Sequence, residues 1–256
     1  MMTEIQYWYF KSALTPEQCQ QIIDAGESKI QERKEQGLST FGYTHGDAQK
    51  QALPNAKSLG DKTVQEVAEE QGIAPEEVIK KNYVRDSEIA FLDDTWIYDM
   101  IWPYLMEANK QAGWLYDIEW GESVQYTTYN PGGFYGWHND GAGCHNTKYK
   151  RFIKGVSPEK ANGEMQWGYT NFENYIGRVR KLSMTINLNK PGEYEGGNLK
   201  FDYGPHANGE RYHECDEIRP QGSIIVFPSH MYHQVTPITT GKRKSLVMWA
   251  LGQPFR

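Results

Sequence analysis

Cysteine is scarce in this chain and never paired. Cys19, Cys144 and Cys215 are the only three among 256 residues. No two are close in sequence, and the odd count argues against a disulfide framework. A reducing compartment fits best, and the cytoplasm is the expected location. Long apolar runs are missing too. Nothing approaches the ~18–20 residues of a membrane helix. The opening Met-Met-Thr-Glu-Ile-Gln-Tyr-Trp-Tyr-Phe has no basic segment ahead of an apolar stretch, so no signal peptide is expected. Basic runs are also absent, and the formal net charge is −6. The densest clusters are Lys148-Tyr-Lys-Arg151 and Arg178-Val-Arg-Lys181, read as solvated or lid residues. A duplex partner usually demands a basic stripe, which argues against nucleic-acid binding or repair.

What the chain has in plenty is aromatic side chains: 17 Tyr and 8 Trp, within an aromatic content of 13%. Such residues suit a cleft whose walls are apolar but carry polar tips. The hydrophobic content of 38% is that of a globular chain, not a disordered one. We expect one domain over residues 1–256, with 1–115 mostly helical support and 116–252 a strand-rich core.

Residues 5–10 read as a short strand. Thr15 and Pro16 open a helix that runs to about Glu32. Residues 37–62 read as loop. Two short helical patterns, Thr63–Gln71 and Pro75–Lys81, surround Gly72 and form an inserted helical hairpin at 61–82; its outline is similar to the helical centre of a LysM repeat. Ser87 to Leu92 reads as a strand. Thr95–Gly113 is a helix with Ile97, Met100, Ile101, Tyr104, Leu105 and Ala108 on one face and a kinking Pro103 inside it. Strands are then expected at 116–120, 123–130, 134–138, 181–189, 197–201, 212–218, 223–227, 231–236 and 243–250. Leu182, Met184, Ile186 and Leu188 alternate with Ser183, Thr185 and Asn187. Helices followed by many short strands give an α+β class with a jelly-roll core. The polar, aromatic stretch 141–178 interrupts two strands and reads as a lid.

The chemistry concentrates in two segments. Tyr129-Asn-Pro-Gly-Gly-Phe-Tyr-Gly-Trp-His138-Asn-Asp140 supplies a His and a carboxylate two residues apart. Strand alternation turns both to one face if the strand runs that far. His233-Gln-Val-Thr-Pro-Ile-Thr-Thr-Gly-Lys-Arg243 adds a second His and, ten residues on, an Arg. Two His and one carboxylate with open positions is the arrangement of non-haem Fe(II) oxygenases. If Ile238 to Gly241 is a hairpin turn, His233 and Arg243 lie opposite each other and share a face. Arg243 can then clamp a carboxylate in two-pronged fashion, and Ser245 can add a hydrogen bond. His230 is the rival to His233. His45, His145, His206 and His213 have no partner at a telling spacing.

The combined pattern Tyr129, Tyr135-x-x-His138-x-Asp140, Tyr194-Glu-Gly-Gly197 and His233-x-Val-x-Pro through Arg243-x-Ser245 to Trp249 resembles the prolyl-4-hydroxylase-like 2-oxoglutarate/Fe(II) oxygenases, the PKHD-type hydroxylases in particular. The resemblance covers roughly residues 83–252. It implies a double-stranded β-helix flanked by N-terminal helices, with Fe(II) on His138, Asp140 and His233. It implies 2-oxoglutarate held by Arg243 with Tyr129, Ser245 and Ser183 or Thr185 around it, and Tyr135 and Trp249 near the substrate. Dioxygen is the oxidant and ascorbate an accessory reductant. The carboxylate at Asp140 argues for hydroxylation over halogenation. The expected reaction is hydroxylation of an unactivated C–H bond of a prolyl residue in a peptide or protein. A free amino acid or other small molecule is the alternative substrate, and a non-catalytic jelly-roll binding module the alternative role.

Overall fold

The computed structural model describes residues 5–42, 64–80, 85–141, 178–205 and 209–253. Its first half contains β1 (Trp8–Phe10), α1 (Pro16–Glu35), α2 (Val64–Gln71), α3 (Pro75–Lys80), β2 (Arg85–Asp86), β3 (Glu88–Leu92), α4 (Thr95–Gln111), β4 (Trp120–Gly121), β5 (Val124–Tyr129) and β6 (Phe134–His138). The second half is built of strands: β7 (Val179–Asn187), β8 (Tyr194–Gly196), β9 (Leu199–Asp202), β10 (Tyr212–Glu214), β11 (Ile224–Pro228), β12 (Tyr232–Val235), β13 (Ile238–Gly241) and β14 (Arg243–Gly252). The lid reading of 141–178, the cluster at Lys148–Arg151, and His45, His145 and His206 lie outside the described residues.

The Thr15 signal does what it predicts. The Thr15 hydroxyl accepts from the Gln18 N–H at 3.2 Å, and the Gln18 side chain accepts from the Thr15 N–H at 2.8 Å. This reciprocal cap, with Pro16 in the first turn, fixes where α1 starts. One face of α1 buries Cys19, Ile22, Ile23, Gly26 and Ile30. Gly26 lies so close to the Tyr126 ring that a Cβ there would stand 2.2 Å from it. The absence of a side chain lets the helix lie flat on β3 and β5. Across the same sheet, α4 buries Ile97, Ile101, Leu105 and Ala108, continuing through Pro103. Among the described residues no helix is long and apolar enough to cross a membrane.

Among the described residues two large antiparallel sheets and a two-stranded one, β13-β8, carry the rest. The larger runs β1-β11-β7-β14-β5-β3, with β4 attached to β14; the smaller runs β10-β9-β12-β6-β2. The alternation in β7 is realised: Leu182, Met184, Ile186 and Leu188 join the helix-backed core. Ser183, Thr185 and Asn187 take the opposite face. The hairpin of α2 and α3 buries Val67, Ala68 and Val78 against Phe134 of β6, so it braces the smaller sheet.

Four local expectations are corrected. Residues 116–119 form no strand, and only Trp120–Gly121 pairs. The strand expected over 212–218 stops at Glu214 and continues as a 3-10 turn, Asp216–Ile218. Arg180 and Lys181, read as solvated or lid residues, begin β7 and are largely or wholly buried. The fourth correction matters most. Ile238–Gly241 is not a hairpin turn but a strand, β13, which pairs with β8. His233 therefore does not face Arg243 across a ladder. Its cross-strand partner is His138, and that of Arg243 is Tyr129. The chain crosses from one sheet to the other between the two residues. Gly196 and Gly197 make the crossing possible, with φ of 70° and 59°. A Cβ on Gly196 would lie 2.3 Å from the Pro237 carbonyl oxygen, and one on Gly197 would lie 2.4 Å from Ile238 Cδ1.

Candidate metal and anion site

His138 ends β6 and His233 lies directly opposite it on β12. Each ring is fixed by its own strand. His138 Nδ1 lies 2.7 Å from the Gly136 carbonyl and His233 Nδ1 lies 3.0 Å from that of Met231. A carbonyl only accepts, so both Nδ1 atoms donate and both Nε2 atoms are turned toward the space between the strands, each a metal-ligating lone pair in the neutral ring. β6 stops at His138, so strand alternation does not aim Asp140. Instead the Asp140 and Gly141 N–H groups both donate to the Ser229 carbonyl, at 2.9 and 2.8 Å. The Asp140 carboxylate then sits 3.7 Å from His138 Nε2 and 3.6 Å from His233 Nε2. One ligand atom from each of the three residues lies within 4.8 Å of the others, and all three residues are buried. His230 is exposed and stands outside this cluster.

The electrostatics favour cation binding. Burial, followed by the neighbouring His233, holds the His138 pKa well below its usual value, so the ring is neutral and able to ligate. Burial works to raise the Asp140 pKa. His233, His138, Arg180 and a hydrogen bond from Ser183 outweigh it and bring the carboxyl down to about 2. Two imidazoles and one carboxylate, with no thiolate, suit Fe(II).

The larger sheet supplies the facing wall of the same cavity. Tyr129, Thr185, Arg243, Ser245 and Trp249 line it together with His138, Asp140, His233 and Tyr135. Arg243 is buried and donates from Nη1 to Ser245 Oγ at 3.0 Å. Its guanidinium also lies 5.5 Å from the Tyr129 ring centre. No carboxylate pairs with it among the described residues, and its Nε has no partner. A buried, unpaired guanidinium is costly unless an anion joins it. The carboxylate of 2-oxoglutarate fits that place.

Ser183 stands at the other end of the wall. It is paired in register with Trp249, whereas Thr185 pairs with Val247 and Asn187 with Ser245. Its hydroxyl meets Ser229 Oγ at 3.0 Å and helps hold Asp140, so Thr185 and not Ser183 lines the cavity. Tyr135 stacks on His138, with ring centres 3.4 Å apart. Trp249 lies under Arg180, 4.0 Å from its guanidinium carbon, and its indole N–H is buried without a partner.

Sequence reasoning passed over Arg180, Glu122 and Arg85. Arg180 donates from Nη2 to Glu122 at 2.6 Å and from Nη1 to the Asp140 carbonyl at 3.3 Å. It ties the rear of Asp140 to the Trp249 wall. The only local signal was the basic cluster itself.

Comparison with known proteins agrees with this geometry. The 2OG-Fe(II) oxygenase superfamily profile matches residues 124–251, half of the chain. The chain belongs to that superfamily. A PKHD-type hydroxylase of Stenotrophomonas maltophilia (strain R551-3) is 32% identical over 126 residues, 49% of this chain and 41% of that protein. A PKHD-type hydroxylase of Prochlorococcus marinus is 36% identical over 101 residues, 39% of this chain and 42% of that protein. The chain thus spans about two-fifths of the length of the curated relatives it matches. Among solved structures, a Pseudomonas putida prolyl-4-hydroxylase aligns with TM-score 0.51 at 15% identity, over 96% of this chain and 91% of that one. A viral collagen prolyl hydroxylase from Paramecium Bursaria Chlorella virus-1 aligns with TM-score 0.52 at 15% identity, over 97% of both chains. These two carry the fold: a double-stranded β-helix flanked by N-terminal helices.

Proposed function

We propose that this protein is a 2-oxoglutarate- and Fe(II)-dependent dioxygenase that hydroxylates an unactivated C–H bond of a prolyl residue in a peptide or protein. One observation carries the reading: a buried His138, Asp140 and His233 cluster shares its cavity with a buried Arg243 that pairs with no carboxylate among the described residues. The names of the relatives, PKHD-type hydroxylases, support it.

In this reading His138, Asp140 and His233 hold the metal, and Arg243 receives the distal carboxylate of 2-oxoglutarate. Ser245 fixes the Arg243 fork. Tyr129 offers its ring and hydroxyl beside the co-substrate, and Thr185 faces it from β7. Bound there, Fe(II) with dioxygen and 2-oxoglutarate supplies the oxidising power for C–H hydroxylation. The apolar walls exclude water from that chemistry. Tyr135 and Trp249 border the space left for substrate. Ser183 and Arg180 act on Asp140, keeping it ionised and aimed. Helices, hairpin and sheets act as a single domain. The buried free thiols Cys19 and Cys215 support a reducing, cytoplasmic setting, and ascorbate serves as accessory reductant.

The test begins without oxygen. Fe(II) and 2-oxoglutarate added to the purified protein should give the visible charge-transfer band of the chelate. With oxygen, succinate release should rise when prolyl peptides are supplied. A folded protein with no band would return the non-catalytic module to first place.

A further inference from the structure

A second buried arginine in the cavity has no role in the reading above. Arg85, on β2, is 4% exposed and lines the same cavity as the three metal-binding candidates. Its Nε donates to Ser87 Oγ at 2.7 Å, and its guanidinium carbon lies 4.7 Å from the Tyr135 ring centre. Tyr135 in turn stacks on His138. The order is therefore guanidinium, phenol ring, imidazole, and Arg85 stands one ring away from the metal-binding imidazole. Gly42 packs closely against it: a Cβ there would meet both Arg85 Nε and Ser87 Oγ at 2.4 Å. Among the described residues its terminal nitrogens have no hydrogen-bond partner and no carboxylate pairs with it. Such a charge is costly when buried alone and gains most from a two-pronged carboxylate.

Charge counting points the same way, resting on the proposed function. Among the described residues the cavity is lined by two guanidinium groups, Arg85 and Arg243, and one carboxylate, Asp140. Fe(II) adds two positive charges and 2-oxoglutarate two negative ones. Among the described residues one positive charge then remains uncompensated, and it belongs to the arginine that the co-substrate does not use. We propose that Arg85 is a specificity-determining residue that binds a carboxylate of the substrate to be hydroxylated. That carboxylate comes either from the end of a free amino acid or short peptide, or from an acidic side chain next to the reacting residue.

The experiment separates these sources. Protein loaded anaerobically with Fe(II) and 2-oxoglutarate is titrated with N-acetyl-proline against N-acetyl-prolinamide. A second pair is acetyl-Glu-Pro-Gly-amide against acetyl-Gln-Pro-Gly-amide. Binding is read from the charge-transfer band and from tryptophan fluorescence. In the parent, one acid should bind roughly tenfold or more tighter than its amide. In Arg85→Gln and Arg85→Met that preference should fall to near unity, with the chelate band and the melting temperature showing an intact, loaded site. A parent that takes neither acid better than its amide overturns the proposal. So does an Arg85 variant that weakens acid and amide alike, or one that loses 2-oxoglutarate instead, which would reassign Arg85 to the co-substrate. Absence of the band in the parent overturns the dioxygenase reading itself, a different result from an unselective but loaded protein.

Discussion

The two sheets divide the work of the site. The smaller sheet brings His138 and His233 into direct register and leads on to Asp140, so it supplies imidazole nitrogen and anionic oxygen. The larger sheet brings Arg243 beside Tyr129 and places Ser245, Val247 and Trp249 along the same strand, so it supplies a cation and an apolar wall. Their support differs as well. The larger sheet is backed by α1 and α4 over an extensive apolar core, whereas the smaller one is braced at Phe134 by a short helical pair. A site split in this way binds its two small ligands through different halves, and the halves can be damaged separately.

The largest break should come in the metal half. His233→Ala removes one of the three proposed ligands, and the loss should exceed the ten- to hundredfold typical of lost outer partners of a metal site. A titration with Fe(II), or Co(II) as a spectroscopic substitute, measures it. Binding of Co(II) at parental strength would end the metal assignment. Next comes the anion half. Arg243→Gln should weaken 2-oxoglutarate by about thirtyfold or more, the equivalent of about 2 kcal/mol for a buried charge pair. Metal affinity should stay near the parent's. Calorimetry with each ligand in turn separates the two effects, and equal losses of both would contradict the division.

How much of this was legible beforehand follows from range along the chain. The His138-x-Asp140 spacing, the alternation of β7 and the Arg243, Ser245 and Trp249 face are local, and local periodicity can be read directly. The opposition of His138 and His233 depends on pairing between strands ninety-five residues apart, and no periodicity encodes a partner. The supposed hairpin between His233 and Arg243 failed for that reason: β13 and the glycines at 196–197 satisfy each other, and the segment crosses sheets. Arg180 was misread because its partner, Glu122, is 58 residues away. Arg85 carried no signal at all, since a buried arginine and an exposed one look alike in a sequence.

The Arg180 and Glu122 pair links the two halves, which gives the third break. Glu122→Gln leaves a mostly buried guanidinium without its counter-ion, against Trp249 and the Asp140 carbonyl. Destabilisation of about 2 kcal/mol is expected, below the 3–5 kcal/mol of a fully buried pair because both side chains keep some exposure. Both ligands should weaken together, which neither single-half variant does. A variant with unchanged melting and unchanged binding would show the pair to be incidental.

Acid supplies a fourth, comparable effect. The Asp140 carboxyl is held at about 2 against an ordinary 3.8. A depressed folded pKa means that the charge stabilises the fold fully above about pH 4. That contribution, about 2 kcal/mol in the metal-free protein, is lost as the pH falls from there through 2. Carboxyl carbon shifts followed by NMR should show Asp140 still ionised at pH 4. A midpoint near 4 would mean that the imidazoles and Arg180 do not stabilise it as the geometry implies.

The smallest expected effect sharpens the comparison by lying outside both halves. Thr15→Ala removes the hydroxyl from an exposed helix cap, and the Gln18 N–H returns to water. Caps of this kind contribute about 1 kcal/mol, which at this chain length lowers the melting temperature by about 2–4 °C. α1 lies on the outer face of the larger sheet, away from the cavity, so neither metal nor 2-oxoglutarate affinity should move. If Thr15→Ala changed Arg243-dependent binding while sparing the metal, the helix backing would be setting the position of the anion half. The sheet would then be a strained wall held by its helices and not a rigid one.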